Sequence, residues 1–283
     1  LAHEFQHLIT YYQKSAKKNI EEEVWLDELY SEYAPTLLGY NNEWNSSYIE
    51  SRVYDFNQNV QNSLLGWSGN AADQGSAALF AEFLADQYGE QVILDAFHSS
   101  FVGVDSIEYA LNKNGFKKKF WEVFNQWLVA NVINNPIKNS ALYAYKQPLT
   151  YDHFHVLPGV NFRVGNQETN YAFELEDWAS SYIRITPISL GVSQIVEIQV
   201  QNELSLENID VKIPYIINYF SGNTDVGYAV LKGKNASIFV NGFGKEVSSV
   251  VLIPTTQKSL AGFTRDGLSR AVTFRINFSA ANP

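Results

Sequence analysis

The sequence contains no cysteine among its 283 residues, which excludes disulfide bonds and thiolate chemistry. Methionine is also absent, although its ordinary usage of about 2% would place several in a chain of this length. Basic residues are outnumbered, 20 against 30 acidic ones, and the net charge of −10 disfavours a nucleic acid or an anionic membrane as a partner. No apolar stretch approaches the roughly 20 residues of a transmembrane helix, and no signal peptide is visible.

The residues that are present predict two domains of different class. Apolar residues make up 46% of the chain, enough for buried cores, and its length exceeds the usual size of one domain. Apolar positions recur every three or four residues up to about residue 135, whereas from about residue 160 they alternate. We therefore predict an α+β protein, with a mainly helical domain over residues 1–147 and an all-β sandwich domain over residues 148–283.

The strongest chemical signal is the run His-Glu-Phe-Gln-His at the start of the chain. His3 and His7 are four residues apart, so on a helix their imidazoles project from one face and can bind one Zn²⁺. Glu4 lies beside His3, where a carboxylate can take a proton from a metal-bound water. The alternative is a pair of solvated histidines, because so short a pattern also arises by chance.

A second acidic segment favours the metal site over that alternative. Twenty residues separate His7 from Glu28, enough for the first helix to end and a second to cross it. Glu28 can then supply a third ligand, which leaves an open position for water. Glu32, one turn further on, can accept a hydrogen bond from the far nitrogen of a ligand histidine. These residues predict one Zn²⁺ per chain.

With these residues in place, the sequence resembles the gluzincin metallopeptidases, which include thermolysin, the zinc aminopeptidases and the bacterial hyicolysin-type enzymes. The shared pattern is His-Glu-x-x-His, then a later helix with Asp27-Glu28 and an acidic residue at Glu32. The sequence segment Trp-Leu-Asp-Glu followed by Ser-Glu-Tyr-Ala is most similar to the hyicolysin type. The resemblance covers roughly residues 1–135. It implies that the helical domain is the C-terminal part of a zincin catalytic domain, without its upstream sheet.

The resemblance also implies that an oxyanion donor acts beside the metal. At Gln74 the family pattern has a tyrosine that this sequence lacks, so the resemblance does not identify the donor, and this difference favours the alternative of impaired catalysis. Tyr40, Tyr54 and His98 are candidates for that role, and ordinary packing or surface placement is the alternative for each of them. A requirement for calcium is left open.

The predicted function is zinc-dependent hydrolysis of peptide bonds in proteins or peptides, with Glu4 as the general base. We expect a secreted or cell-surface bacterial protein that is part of a longer chain. Two alternatives stay open: a peptidase-like surface or adhesion protein with impaired catalysis, and an aminopeptidase. The sequence leaves the oligomeric state undecided, and the β-rich domain carries no catalytic pattern.

Overall fold

The computed structural model describes residues 1–41, 43–45, 47–135, 141–202, 211–257 and 272–281. Contacts divide the chain into two compact units, with a boundary between Val156 and Leu157, whereas the sequence placed it after residue 147. Among the described residues, no helix is both long enough and apolar enough to cross a membrane.

The first unit is helical. Its described residues form the α-helices α1 Ala2–Thr10, α2 Val24–Leu37, α3 Tyr48–Gln58, α4 Ala71–Tyr88, α5 Glu90–His98, α6 Gly103–Lys113, α7 Phe120–Ile133 and α8 Pro148–His153. A π-helical turn, Tyr11–Ala16, extends α1, and a 3₁₀ turn, Ala141–Tyr143, precedes α8. Helix α4 is the central helix, because residues around its whole circumference, including Leu79 and Phe83, are buried.

The reversal between α1 and α2 positions the candidate site. Asn19 has a φ of 55°, a left-handed conformation that asparagine tolerates better than most residues. In the π-helical turn, Lys14 is completely buried, and its Nζ lies 2.9 Å from Oε2 of Glu22 and donates to the carbonyl of Phe101 at 2.7 Å. A buried ammonium group needs such partners, so Lys14 ties the end of α1 to the segment that leads into α2.

Helices α3 and α4 approach each other unusually closely at Gly75. A Cβ atom at this position would meet the backbone nitrogen of Phe56 and lie 2.6 Å from the carbonyl oxygen of Arg52. Helix α3 begins at a conventional cap, where the Ser47 side chain accepts a hydrogen bond from the backbone N–H of Glu50 at 3.1 Å. Residues on the inner side of α3 are therefore held against the helical core.

The apolar stripe of α1 faces solvent. Phe5, Leu8 and Tyr12 remain 61%, 65% and 55% exposed, respectively. The opposite side of the same helix carries His3 and His7, which are half-buried against α2. Helix α1 thus lies at the surface of its unit, with its two histidines turned inward.

The second unit is built from strands. They are β1 Val160–Val164, β2 Thr169–Leu175, β3 Ile183–Pro187, β4 Gln194–Asn202, β5 Val211–Tyr219, β6 Thr224–Leu231, β7 Asn235–Phe243, β8 Val247–Leu252 and β9 Val272–Ala281. Alternate residues are buried, as in β4, where Val196, Ile198 and Val200 belong to the core and Gln199 and Gln201 are exposed. This alternation produces one apolar face and one polar face.

The predicted fold class, a helical zincin domain followed by an all-β sandwich, is wrong. The nine described strands form one mixed sheet in the order β1-β3-β8-β7-β4-β9-β2, with β5 added beside β8 and β6 beside β5. Most pairs are antiparallel, but β1 and β3 are parallel, and β7 meets β8 through the single parallel pair Phe243 and Val247. Alternating burial indicates which side chains face the core, but it does not determine which strands are neighbours.

Candidate metal centre

Two helices bring three ligand-type side chains together. Helix α1 carries His3 and His7 one turn apart on the side that packs on α2, and α2 carries Glu28. The two Nε2 atoms lie 3.1 Å apart, and Oε2 of Glu28 lies 3.4 Å from Nε2 of His3 and 3.7 Å from Nε2 of His7. The sequence spacing of four residues and then twenty-one thus places three ligand atoms around one point.

These separations suit a tetrahedral zinc ion. Ligand atoms about 2.0–2.1 Å from such an ion lie about 3.3–3.4 Å from one another, a value that the three observed distances bracket. Oε2 of Glu28 is buried and accepts no hydrogen bond, which leaves its lone pairs without a partner. Within the part of the chain that the structure describes, His3, His7 and Glu28 are the group whose ligand atoms are close enough to share an ion.

The outward nitrogen of each imidazole has an acceptor that determines its tautomer. Nδ1 of His7 lies 2.9 Å from Oδ2 of Asp27 and 3.1 Å from Oγ of Ser31. Nδ1 of His3 lies 3.3 Å from the hydroxyl oxygen of Tyr48, a hydrogen-bond partner, and 3.4 Å from Oε1 of Glu32. A neutral imidazole has one N–H, and these acceptors favour it at Nδ1, so that the lone pair of each Nε2 points toward the shared point. Such pairing of carboxylate with histidine is common behind metal ligands.

The electrostatics of the pocket favour a positive charge at that point. The adjacent Glu28 carboxylate raises the pKa of His3 above its ordinary value, against the opposing effect of burial. Three lone pairs, from two imidazole nitrogens and one carboxylate oxygen, face one another around that point. A divalent cation satisfies all three at once, and its binding is expected to release protons.

The predicted general base, Glu4, is an exposed residue in the first turn of α1, directly after His3. Its carboxylate is exposed and receives no hydrogen bond from the described residues. The side chains of the three ligand candidates, His3, His7 and Glu28, are 15%, 26% and 18% exposed, so the cluster opens to solvent instead of being sealed inside the unit. Both the cluster and Glu4 are therefore accessible to solvent.

The three candidate oxyanion donors line two pockets that His3, His7 and Glu28 do not line. Tyr40 and Tyr54 are 66% and 65% exposed and line a shallow groove on the outer side of α3, together with Tyr48. His98 is exposed at the end of α5 and borders a separate, mainly apolar pocket that also includes Gln6. No hydrogen bond between described residues joins the side chains of these three donor candidates to the ligand cluster.

The sequence reasoning missed three residues around the cluster. Asp27 was noted only as part of a family pattern, but it contacts His7. Tyr48 and Arg52 were not considered, yet both bind Glu32. A signal for Arg52 does exist, because it is the only arginine before residue 163 and lies one helical turn after Tyr48.

Comparisons with known proteins add no functional assignment. No family profile matches the sequence, and no curated protein is significantly similar to it. Among solved structures, the pre-peptidase C-terminal domain of a collagenase from Bacillus anthracis has a TM-score of 0.28 at 15% identity, over 45% of this chain and 100% of that one. The g-type lysozyme inhibitor PliG from Aeromonas hydrophila has a TM-score of 0.25 at 7% identity, over 43% and 98%. A family GH115 4-O-methyl-alpha-glucuronidase, BtGH115A, has a TM-score of 0.23 at 12% identity, over 91% and 39%. Similarities this low support no argument about the chemistry of the site.

Proposed function

We propose that the chain is a zinc-dependent peptidase, in which His3, His7 and Glu28 bind one Zn²⁺ and Glu4 is the general base. The observation that carries this proposal is the convergence of two imidazole nitrogens and one buried, unpartnered carboxylate oxygen. Two histidines and one carboxylate form a ligand set typical of catalytic zinc, because they leave a fourth position open.

The residues of the chain then divide the work of peptide hydrolysis. When bound, Zn²⁺ lowers the pKa of a water molecule to about 7 and polarises the scissile carbonyl. The Glu4 carboxylate accepts the proton of the attacking water and delivers it to the leaving amine. Asp27 and Glu32 hold the imidazoles in the tautomer that presents Nε2.

We propose proteins and peptides as the substrates, cleaved within the chain, and a secreted or cell-surface location. The support for this substrate class is the gluzincin-like motif of residues 1–33 together with a cluster that is open to solvent. Tyr40, Tyr54 and His98 stay candidate oxyanion donors, each of which a substitution by Phe or Gln can test.

The test combines metal analysis with a cleavage assay on the whole chain. We expect wild type to contain one zinc per chain and to cleave casein or members of a peptide library. Glu4→Gln should keep its zinc and lose activity by about 10²- to 10⁴-fold, since only the proton acceptor is removed. Glu168→Gln, the same chemical change at an exposed position in the second unit, is the matched control and should keep full activity.

Three results would each contradict part of this proposal. Wild type with stoichiometric zinc that cleaves nothing would contradict the peptidase proposal and favour a surface or adhesion protein. Release of N-terminal residues alone would identify an aminopeptidase. Equal activity in wild type and Glu4→Gln would remove Glu4 from the mechanism.

A further inference from the structure

A buried carboxylate stands behind one of the two candidate ligand histidines. The Glu32 side chain is inaccessible to solvent, and its Oε1 lies 3.4 Å from Nδ1 of His3. A buried carboxylate is stable only when other groups hydrogen-bond it or neutralise its charge. The groups that bind Glu32 therefore determine whether its carboxylate is held in place beside His3.

Helix α3 provides those groups. Arg52 donates to Glu32 twice, from Nε to Oε2 at 2.6 Å and from Nη2 to Oε1 at 3.1 Å. The hydroxyl of Tyr48 donates to Oε2 at 2.7 Å and accepts from Nη2 of Arg52 at 2.9 Å. Two parallel bonds from a guanidinium group fix both the position and the plane of a carboxylate. Three hydrogen bonds from side chains of α3 therefore hold the Glu32 carboxylate.

Arg52 is itself held in one position. Its Nη1 donates to Asp55 at 3.0 Å, and its guanidinium group lies 4.6 Å from the centre of the Tyr48 ring. Its backbone carbonyl borders Gly75, where α3 packs closely on α4. The position of Glu32 therefore depends on the packing of α3 on the helical core as well as on α2.

The two histidines differ in this respect. The partner of His7 is Asp27, whose side chain is 30% exposed and lies on α2 beside Glu28. The partners of His3 are the Tyr48 hydroxyl on α3, 3.3 Å from Nδ1, and Glu32, whose side chain is fully buried and is bound by Arg52. A change on α3 should therefore alter the His3 side of the cluster and leave the His7 side unchanged.

We propose that Arg52 and Tyr48 are positioning residues, which hold Glu32 against His3 and so set the metal affinity of the cluster from α3. The inference rests on the proposed zinc site. Without the guanidinium group, both groups beside Nδ1 of His3, the Glu32 carboxylate and the Tyr48 hydroxyl, lose a hydrogen bond that holds them in place. The His3 imidazole is then less firmly kept with Nε2 directed at the shared point. Loss of such an outer partner typically weakens metal binding by about 10- to 100-fold.

The test measures metal binding by the full chain, separately from catalysis. Zinc affinity is determined by competition with a chromogenic chelator, and cobalt is used to record the visible absorption spectrum of the site. We expect Arg52→Met to weaken zinc binding by about 10- to 100-fold and to change the cobalt spectrum, with a partial recovery in Arg52→Lys. Tyr48→Phe should produce a smaller loss in the same direction. Arg163→Met, which removes an exposed arginine from β1, should bind zinc as wild type does.

The outcomes separate this inference from the proposed function. Tyr48→Phe removes only one hydroxyl and keeps the test valid if Arg52→Met does not fold. The decisive variant is Arg52→Met if it folds, and Tyr48→Phe if Arg52→Met does not. If that variant has the zinc affinity and the cobalt spectrum of wild type, the positioning role is overturned, while the peptidase proposal stands. A wild type that binds zinc but cleaves nothing overturns the peptidase proposal, while a weakened Arg52→Met still supports the positioning role. A wild type that binds no zinc overturns both.

Discussion

The buried carboxyl group of Glu82 makes the stability of the helical unit depend on pH. Glu82 lies on α4 and is 3% exposed. Its Oε1 accepts a hydrogen bond from the hydroxyl of Thr36 on α2 at 2.6 Å, and the Thr36 oxygen in turn accepts from Asn41 at 2.6 Å. No lysine or arginine among the described residues forms an ion pair with it, whereas Asp86 and Glu90 lie nearby. Burial raises the pKa of Glu82 from an ordinary value of 4.5 to about 7.

The sign of the effect follows from where each state loses its proton. Between pH 4.5 and 7, the folded chain keeps the proton on Glu82 while the unfolded chain has released it, so the free energy of unfolding falls as pH rises. At 1.36 kcal/mol for each unit of pKa, the whole loss amounts to about 3 kcal/mol. We expect Glu82→Gln, which keeps an oxygen for Thr36 but cannot ionise, to be more stable than wild type by up to that amount at pH 8. The two proteins should be equally stable, or nearly so, at pH 4.

Urea unfolding of the metal-free chain at pH 4, 6 and 8 measures this difference. Five of the six tryptophans precede residue 157, so tryptophan fluorescence reports mainly on the helical unit. Comparison of wild type with Glu82→Gln cancels the titration of carboxylates that do not interact with Glu82, which excludes Asp86 and Glu90. Glu168→Gln, the same change at an exposed position, is the control and should show no difference that varies with pH. A Glu82→Gln difference of the same size at pH 4 and pH 8 would refute the reasoning.

Two further predictions concern the helices around the candidate metal centre. Lys14→Met should destabilise the helical unit by about 3–5 kcal/mol, because it leaves the buried carboxylate of Glu22 unpaired. The double variant Lys14→Met/Glu22→Gln should recover most of that loss in the same fluorescence assay, and equal stability of the single and double variants would contradict this account. Gly75→Ala should destabilise the unit by about 1–3 kcal/mol, since its methyl group meets the backbone of Phe56. Gly159→Ala is the control, because a Cβ atom at Gly159 meets nothing within 4 Å. If Gly75→Ala lowers the free energy of unfolding no more than Gly159→Ala does, α3 and α4 can separate without cost.

Local sequence rules predict the ligand geometry well because helix geometry is itself local. A spacing of four residues in a helix places His3 and His7 on one face, and the same spacing places Glu28 and Glu32 on one face of α2. These relations depend only on each segment being helical. The recurrence of apolar residues every three or four positions is enough to indicate that each segment is helical.

The environment of those residues could not be predicted in the same way. Asp27 and Glu32 both flank Glu28 in sequence, and nothing in the spacing says that one contacts His7 and the other His3. The contact between Arg52 and Glu32 joins residues on different helices, and it depends on how α3 packs on α4. The same limit explains the error in the second unit, where period-two alternation was read as a sandwich.

The sequence by itself determined which residues can act as ligands and which face of its helix each one occupies, because both depend on residue type and on contacts within one or two turns. Only the tertiary structure decided that the three ligand atoms lie 3.1 to 3.7 Å apart, that Glu32 is buried beside His3, and that the nine described strands join in one sheet. These features depend on contacts between segments far apart in the chain. Such contacts depend on how all the elements of a unit pack together to bury their apolar surfaces, so they cannot be predicted from a local sequence pattern.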